Sequence, residues 1–315
     1  MENKKIIAVV GATGAQGKGL IQAVLKDKSG EFQIRAITRN AGSDKAKELA
    51  KLGVEVVEAN VDDKASLVNA FKGAYGAYCV TFFWEHFSPE KENLHAKNMA
   101  EAANEAGIKH VIWSTLEDTR NWIPLSDDRM PTLHGKYKVP HFDAKGESNV
   151  YFEKSGVPFT LLNTSFYWEN FIYFGLGPQK GQDGKLAITF PMGNKKLPGI
   201  ASDDIGKCAY SIFKAGKEYQ GKTVSIAGEH LTGNQMAEAF SKHLGVEVKY
   251  NDVPASMYRG FGFPGADDMG NMFQFKADFE ADYCGARDIN ATKKLNPELF
   301  NFDSWLNKNK AAIKI

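Results

Sequence analysis

The chain has 315 residues, enough for one large α/β core with a smaller region appended to it. Its 39 lysines and arginines balance 38 aspartates and glutamates, so no net field draws nucleic acid or an anionic membrane. Three scattered cysteines (Cys79, Cys208, Cys284) match no disulfide or zinc spacing, and with no signal peptide, lipidation signal or long apolar run the expectation is a soluble intracellular protein.

From the N-terminus, Lys5 to Val10 reads as an apolar strand running straight into a glycine-rich turn, Gly11-Ala12-Thr13-Gly14-Ala15-Gln16-Gly17. Leu20, Ile21, Val24 and Leu25 follow at helical intervals. Strand, glycine turn and amphipathic helix, in that order, are what dinucleotide binding requires. The first glycine permits the tight turn, and the second lets the backbone approach a pyrophosphate without a Cβ in the way. The third allows close packing of helix on strand, while the N–H groups at the helix start face the phosphate charge. A second strand, Phe32 to Thr38, ends where an NAD-binding chain carries an acidic residue for the ribose 2′-hydroxyl; here the positions hold Thr38, Arg39 and Asn40. A carboxylate there would repel a 2′-phosphate. A guanidinium grips one bidentately and stacks on adenine, and Ser43, Lys45 and Lys47 lie just beyond to add donors. The pattern predicts NADP(H) in preference to NAD(H).

Further along come a charged helix over 43–52, a strand at Val54–Val57, a short helix over Ala65–Phe71 and the apolar run Ala77–Thr81. A long helix from Pro89 to Ala106 stops at Gly107. The strand His110–Ser114, a loop rich in proline and aspartate, a helix from Phe142 to Ser155 and the strand Phe159–Leu162 complete the alternation. Strands separated by helices imply right-handed crossovers and an α/β, doubly wound parallel sheet (Rossmann) with its ligand at the carboxyl ends of the strands. Residues 1–164 are therefore read as a dinucleotide-binding domain, rejoined by a strand near 223–227. From residue 165 to 315 aromatic residues and glycines are dense and the rhythm weakens. Helices are expected after Ser202 and, capped by Thr232, over 233–244. This region is expected to be a smaller, discontinuous α+β C-terminal lobe for a substrate or partner.

An extended dinucleotide fold of this kind suggests the short-chain dehydrogenase/reductase superfamily. Its reductases use a Tyr-x-x-x-Lys pair as proton donor and ribose holder, with a serine or threonine at the end of the fifth strand. No tyrosine with a lysine four residues on stands in the segment that follows the fifth strand. Where the pair belongs, the sequence places His141 and Lys145, which keep the i, i+4 spacing on one helix face. Lys145 can still hold a ribose. His141 is either a helix-start residue that packs or caps, the commoner role, or a proton donor titrating near neutrality. Ser114 and Thr115 are suitably placed at the strand end, but a hydroxyl alone supplies no acid. His86, His95, His110 and His134 show no metal-ligand spacing, and no metal is expected.

The glycine run at 11–17, the Thr38-Arg39-Asn40 strand end, the His141–Glu147 segment, Gly156-Val157-Pro158, Phe166–Asn170 and Gly262–Ala266 together resemble the NmrA-like family, nearly end to end, and most of all its animal NADPH-sensor members. The resemblance implies that Gly11, Ala12, Thr13, Gly14, Ala15, Gln16 and Gly17 cradle a pyrophosphate. It implies that Arg39, Asn40 and Ser43 take the 2′-phosphate and adenine, and that Asn60 and Val61 flank the adenine. Thr81, Phe82 and Phe83 would face the nicotinamide side, Lys145 the ribose, and Tyr167, Trp168, Glu169 and Asn170 would close over the nicotinamide. Asn60 departs from the acidic residue usual at its place, though an amide carbonyl can also accept from the adenine amino group.

Members of this family often lack the catalytic tyrosine and act as redox sensors or co-regulators through protein contacts. The leading expectation is thus an NADP(H)-binding regulatory protein with a protein partner, a homodimer dependent on cofactor, and residence in the cytoplasm and also the nucleus. The alternative is an NADPH-dependent reductase of a quinone or other small carbonyl compound. Direct DNA binding is disfavoured by the neutral charge and the lack of a recognition motif.

Overall fold

The computed structural model describes residues 4–181 and 183–315. It divides into two compact units, the first built from Met1–Asp118, Ala144–Asn163 and Ile205–Val224, the second from Thr119–Asp143, Thr164–Asp204 and Ser225–Ile315. In chain order the elements begin with β1 (Lys5–Val10), α1 (Ala15–Lys26), β2 (Phe32–Thr38), α2 (Asp44–Lys51), β3 (Glu55–Glu58) and α3 (Lys64–Phe71). They continue with β4 (Gly76–Cys79), α4 (Pro89–Glu105), β5 (His110–Thr115), α5 (Pro140–Ser155) and β6 (Phe159–Asn163). The short β7 (Phe166–Tyr167), α6 (Asn170–Tyr173) and β8 (Gln179–Lys180) precede β9 (Leu186–Thr189), β10 (Lys196–Ile200), α7 (Ser202–Ala215) and β11 (Lys222–Ser225). Last come β12 (Glu229–Thr232), α8 (Gly233–Leu244), β13 (Val248–Asn251), α9 (Ala255–Arg259), α10 (Ala266–Asp278), α11 (Glu280–Gly285), α12 (Ile289–Leu295) and α13 (Phe302–Asn309).

The first unit holds a seven-stranded sheet in the order β11-β6-β5-β4-β1-β2-β3. The six strands β1 to β6 pair with one another in parallel throughout. The strand order turns back between β1 and β4, so the crevice for a ligand opens past Val10 and Cys79. Central strands buried on both faces explain the continuous apolar runs: Ile7, Ala8, Val9, Ala77, Tyr78, Cys79, Val111, Ile112 and Trp113 are all fully buried. Burial also pushes the Cys79 thiol up, which makes it an inert core residue. Side chains start the helices as their sequences suggest: Ser43 accepts from the Ala46 N–H, Asp63 from Ala65 and Ser88 from Lys91, with Pro89 opening α4. Gly107, at φ +70°, ends α4 where an L side chain would be strained.

One buried polar group in this sheet makes acid stability measurable. His110 Nε2 lies 2.8 Å from Thr160 Oγ1, and that hydroxyl donates to the Tyr219 carbonyl at 2.7 Å. The threonine proton is therefore committed, so the ring donates through Nε2 and its buried Nδ1 has no partner. Burial lowers the His110 pKa from 6.5 to about 4. The unfolded chain takes up this proton below pH 6.5 and the native one does not until about pH 4. The stability tied to neutral His110 is thus complete above pH 6.5 and drains as pH falls toward 4, about 3 kcal/mol in all. In urea titrations across that window, His110→Gln, which keeps a donor for Thr160 but cannot titrate, is expected to show a correspondingly shallower slope than the wild type.

The second unit holds two small sheets, β12-β10-β7 and β13-β9-β8. Its core is aromatic. Trp168 packs on Phe302 and Trp305, and Phe171 on Phe240 and Phe302. The indole of Trp168 lies so close to Gly199 that a Cβ there would meet its Cδ1 at 2.9 Å. Thr232 and Gln235 form the capping box of α8.

The stretch 119–143, read from sequence as a loop within the first domain, groups with the second unit. The buried carboxylate of Asp143 accepts from the Thr119 N–H and hydroxyl and from the N–H groups of Lys138 and Val139. Asn271 on α10 donates to the carbonyls of Pro131 and Lys138. A segment that satisfies its backbone against an element so distant in sequence carries no local periodicity, which is why the boundary at residue 164 does not describe it.

Candidate functional site

The glycine turn is built as an anion cradle. The Gly14 N–H bonds the Gly11 carbonyl at 2.9 Å, and Gly11 has φ +69°. Gly14 is the N-cap of α1, yet no side chain caps the helix and its first turn carries no acidic residue. The first-turn N–H groups and the dipole are left to face a ligand anion. A cradle that any side chain on Gly14 would fill is the fit expected for a pyrophosphate.

Gln16 is buried at the start of α1 and accepts from the Tyr78 hydroxyl and, at 2.8 Å, from the Ser114 hydroxyl. Ser114 is thereby a buried member of a network that joins α1, β4 and β5. Thr115, next to it, donates to Asn149 at 2.8 Å.

At the end of β2, Arg39 is exposed and its guanidinium meets Glu85 at 2.5 Å. The Asn40 amide carbonyl accepts from the Gly42 N–H, and Ser43 is occupied as the cap of α2. Asn60 shapes the turn after β3 by accepting from the Asp62 N–H, while the Val61 carbonyl takes a bond from Asn98. Thr38, Arg39, Asn40, Ser43, Asn60 and Val61 all lie at or just past the carboxyl ends of β2 and β3, beside the cradle in the same unit.

Past β4, Phe82 is exposed and Phe83 is buried among Trp84, His86 and Phe87. Thr81 is buried and donates to Glu92 Oε1 at 2.5 Å. Lys145 bonds Thr81 and pairs with the same Glu92 oxygen at 2.5 Å, its ammonium lying 5.4 Å over the Trp113 ring. Glu92 is fully buried. Burial alone pushes its carboxyl up, but Lys145 beside it and the bonds from Lys145 and Thr81 prevail and bring it down to about 2. Lys145 is thus held, charged and aimed, by an acidic residue that sequence reasoning did not single out. The signal was weak: Glu92 is one of several charges in the opening turns of α4 and differs from Glu90 only in facing inward.

The other expected residues lie in the second unit. Tyr167 is half-buried, with its hydroxyl 3.3 Å from Thr164 Oγ1. Trp168 is core. Glu169 accepts from the Ser202 N–H at 2.9 Å and the Trp305 indole N–H at 3.1 Å, and burial raises its pKa. Asn170 opens α6. His141, near the start of α5, sits in that unit as well. Its Nδ1 lies 2.6 Å from Asp268 Oδ1 and its backbone N–H donates to Asp268 Oδ2 at 3.1 Å. One carboxylate on α10 therefore fixes both the ring and the helix start.

Comparison with known proteins agrees with this architecture. An oxidoreductase of Penicillium ochrochloron with an NmrA-like family domain is 26% identical over 93% of this chain and 90% of its own. Among solved structures, NmrA, described as a negative transcriptional regulator, in complex with NADP superposes with TM-score 0.79 at 23% identity, covering 98% of this chain and 95% of that one. The triphenylmethane reductase of Citrobacter sp. complexed with NADP(H) gives 0.76 at 21% identity, covering 98% and 99%. The model of the NmrA-like family matches residues 3–306, and the chain belongs to that family.

Proposed function

We propose that this chain is an NADP(H)-binding regulatory protein in which cofactor occupancy reports redox state to a protein partner. The observation that carries the reading is an equipped cofactor cradle in a chain whose acid is undeveloped. The uncapped glycine turn, Arg39 and the anchored Lys145 are all present. The Tyr-x-x-x-Lys spacing occurs only at Tyr210 and Lys214, both held by Asp27 after α1, while Ser114 is spent on Gln16 and the His141 ring is tied to Asp268. A sensor needs only a difference in affinity between two conformations, typically about 1–3 kcal/mol. A cofactor-dependent homodimer and residence in the cytoplasm and nucleus belong to the same proposal, as does NADP(H) as the cofactor. The description of NmrA as a transcriptional regulator, solved with NADP, supports it.

The second reading, an NADPH-dependent reductase of a quinone or small carbonyl compound, is favoured by the oxidoreductase and reductase names of the Penicillium and Citrobacter proteins. Quinone reduction asks little of a positioned acid, because solvent can protonate the product. Two measurements test the proposal. Calorimetric titration is expected to give NADPH at least about a tenfold advantage over NADH, since one charge-assisted bidentate pair contributes about 1.5–3 kcal/mol. Arg39→Ala is expected to erase the advantage, and equal affinities in the wild type would remove NADP(H) from the proposal. NADPH oxidation over a panel of quinones and carbonyls is expected to stay below about 1 s⁻¹. A faster substrate whose kcat drops about 10²-fold in His141→Ala would establish the reductase instead.

A further inference from the structure

Behind Lys145, the fold assembles three side chains that the sequence keeps apart. His86 precedes α4, and Glu92 and His95 stand one turn apart on it, an i, i+3 pair on one face. Each offers one donor atom, and the three donors lie within 4.8 Å of one another. Glu92 is fully buried and the His86 side chain is nine-tenths buried. Glu92 Oε2 and His86 Nε2 are both buried atoms without a hydrogen-bond partner, and they face each other across 3.4 Å. That separation is too long for a well-formed hydrogen bond to a carboxylate. It equals the edge of a zinc tetrahedron, about 3.4 Å for ligands about 2.1 Å from a shared ion.

We propose that His86, Glu92 and His95 form a binding site for a divalent transition-metal cation of the zinc class. The donor set is two imidazoles and a carboxylate with no thiolate and no cluster of carbonyls, which selects zinc-like ions over copper(I), magnesium or calcium. A second carboxylate completes the arrangement. Asp62 Oδ1 lies 2.8 Å from His95 Nε2 and accepts its proton, which fixes the tautomer and leaves Nδ1 with its lone pair. His86 Nδ1 accepts the Ser88 N–H at 3.0 Å, so without metal the proton of the neutral ring sits on Nε2. Metal binding moves that proton to Nδ1 at the expense of the Ser88 bond. Glu92 then bridges, with Oε1 on Lys145 and Thr81 and Oε2 on the cation. Three protein ligands leave a fourth position for water. The site lies wholly in the first unit and stands whether or not the regulatory reading is right.

The test uses the full chain, free of any histidine tag and of cofactor, after treatment with a chelator. Calorimetric titration with Zn²⁺ is expected to show one ion per chain with Kd of about 1 μM or below, weakening as pH falls because the ligands must be deprotonated. Co²⁺ is expected to give the intense visible absorption of a tetrahedral site. His86→Asn retains an acceptor for Ser88, and His95→Gln retains a donor for Asp62. Each is expected to fold and to bind Zn²⁺ at least about tenfold more weakly. If either variant fails to fold, histidine-ring nitrogen NMR of the wild type decides, with two rings shifting at one equivalent of Zn²⁺. No saturable binding, affinity unchanged in both variants, or ring signals that do not move would each overturn the proposal.

Discussion

Gly14→Val is expected to remove NADP(H) binding from a chain that still folds, whereas Gly17→Ala is expected to damage the fold itself. At Gly14 the backbone is extended, with φ −88° and ψ 177°, which any L residue adopts. A Cβ built there meets only the Gly11 carbonyl oxygen, at 3.2 Å, and a shift of a few tenths of an ångström relieves it. The branched side chain would then stand where the pyrophosphate must approach. The loss in affinity is expected to exceed about 100-fold, because the first-turn N–H groups lose their anion altogether. At Gly17 a Cβ would lie 2.8 Å from the Ala12 Cα and still closer to the Gly11 carbonyl oxygen, both backbone atoms that cannot step aside. Overpacking against a fixed backbone costs about 1–3 kcal/mol or more. The two variants are to be compared by circular dichroism, urea unfolding and cofactor fluorescence. A Gly14→Val protein that still binds would mean the turn is only structural, and a Gly17→Ala protein of full stability would mean α1 packs less closely than described.

Much of this was legible because it is local. The strand, turn and helix at 5–26, the switch to Arg39 at the end of β2 and the capping box of α8 are each contiguous in sequence, and each follows from local chemistry at fixed spacing. What was not legible depends on partners far along the chain. Glu92 reads as one more charge on a solvated helix until α5 brings Lys145 to it. His86 and His95 show no metal-ligand spacing as a pair, because the third member between them is a carboxylate and the turn before α4 supplies the approach. His141 stayed open between packing and proton donation because its partner, Asp268, arrives from the other end of the chain. Trp168 and Glu169 occur in an aromatic run that suits a pocket wall as well as a core. Their packing on Phe302 and Trp305, again remote, places both side chains inside the second unit.

Lys145→Ala is expected to be the most damaging single substitution in the first unit, and its pH dependence should identify the cause. In the wild type, Lys145 and the bonds around it hold the buried Glu92 carboxyl at about 2 against the opposing effect of burial. The pair therefore contributes stability that is complete above the ordinary value of 4.5 and is lost as pH falls toward 2. Removing the ammonium leaves a buried carboxylate without its cation, a change that costs about 3–5 kcal/mol near neutral pH. Burial then acts on Glu92 with much less opposition, so the variant's carboxyl should rise above 4.5 and take a proton in the folded state. The sign reverses: as pH is lowered from 7 to 5 the variant should recover part of its deficit, while the wild type gains nothing from this site. Glu92→Gln placed on Lys145→Ala should restore stability at pH 7, because an amide in place of the carboxylate needs no counter-charge. It should not restore cofactor affinity, which Lys145→Ala lowers by about 1–3 kcal/mol if the ammonium holds the ribose. Urea unfolding at pH 5 and 7 and cofactor titration of the three proteins separate the two roles of Lys145. A single variant as stable as the wild type at pH 7 would show that the buried pair does not exist in solution, and recovery of cofactor binding in the double variant would show that Lys145 serves only to neutralise Glu92.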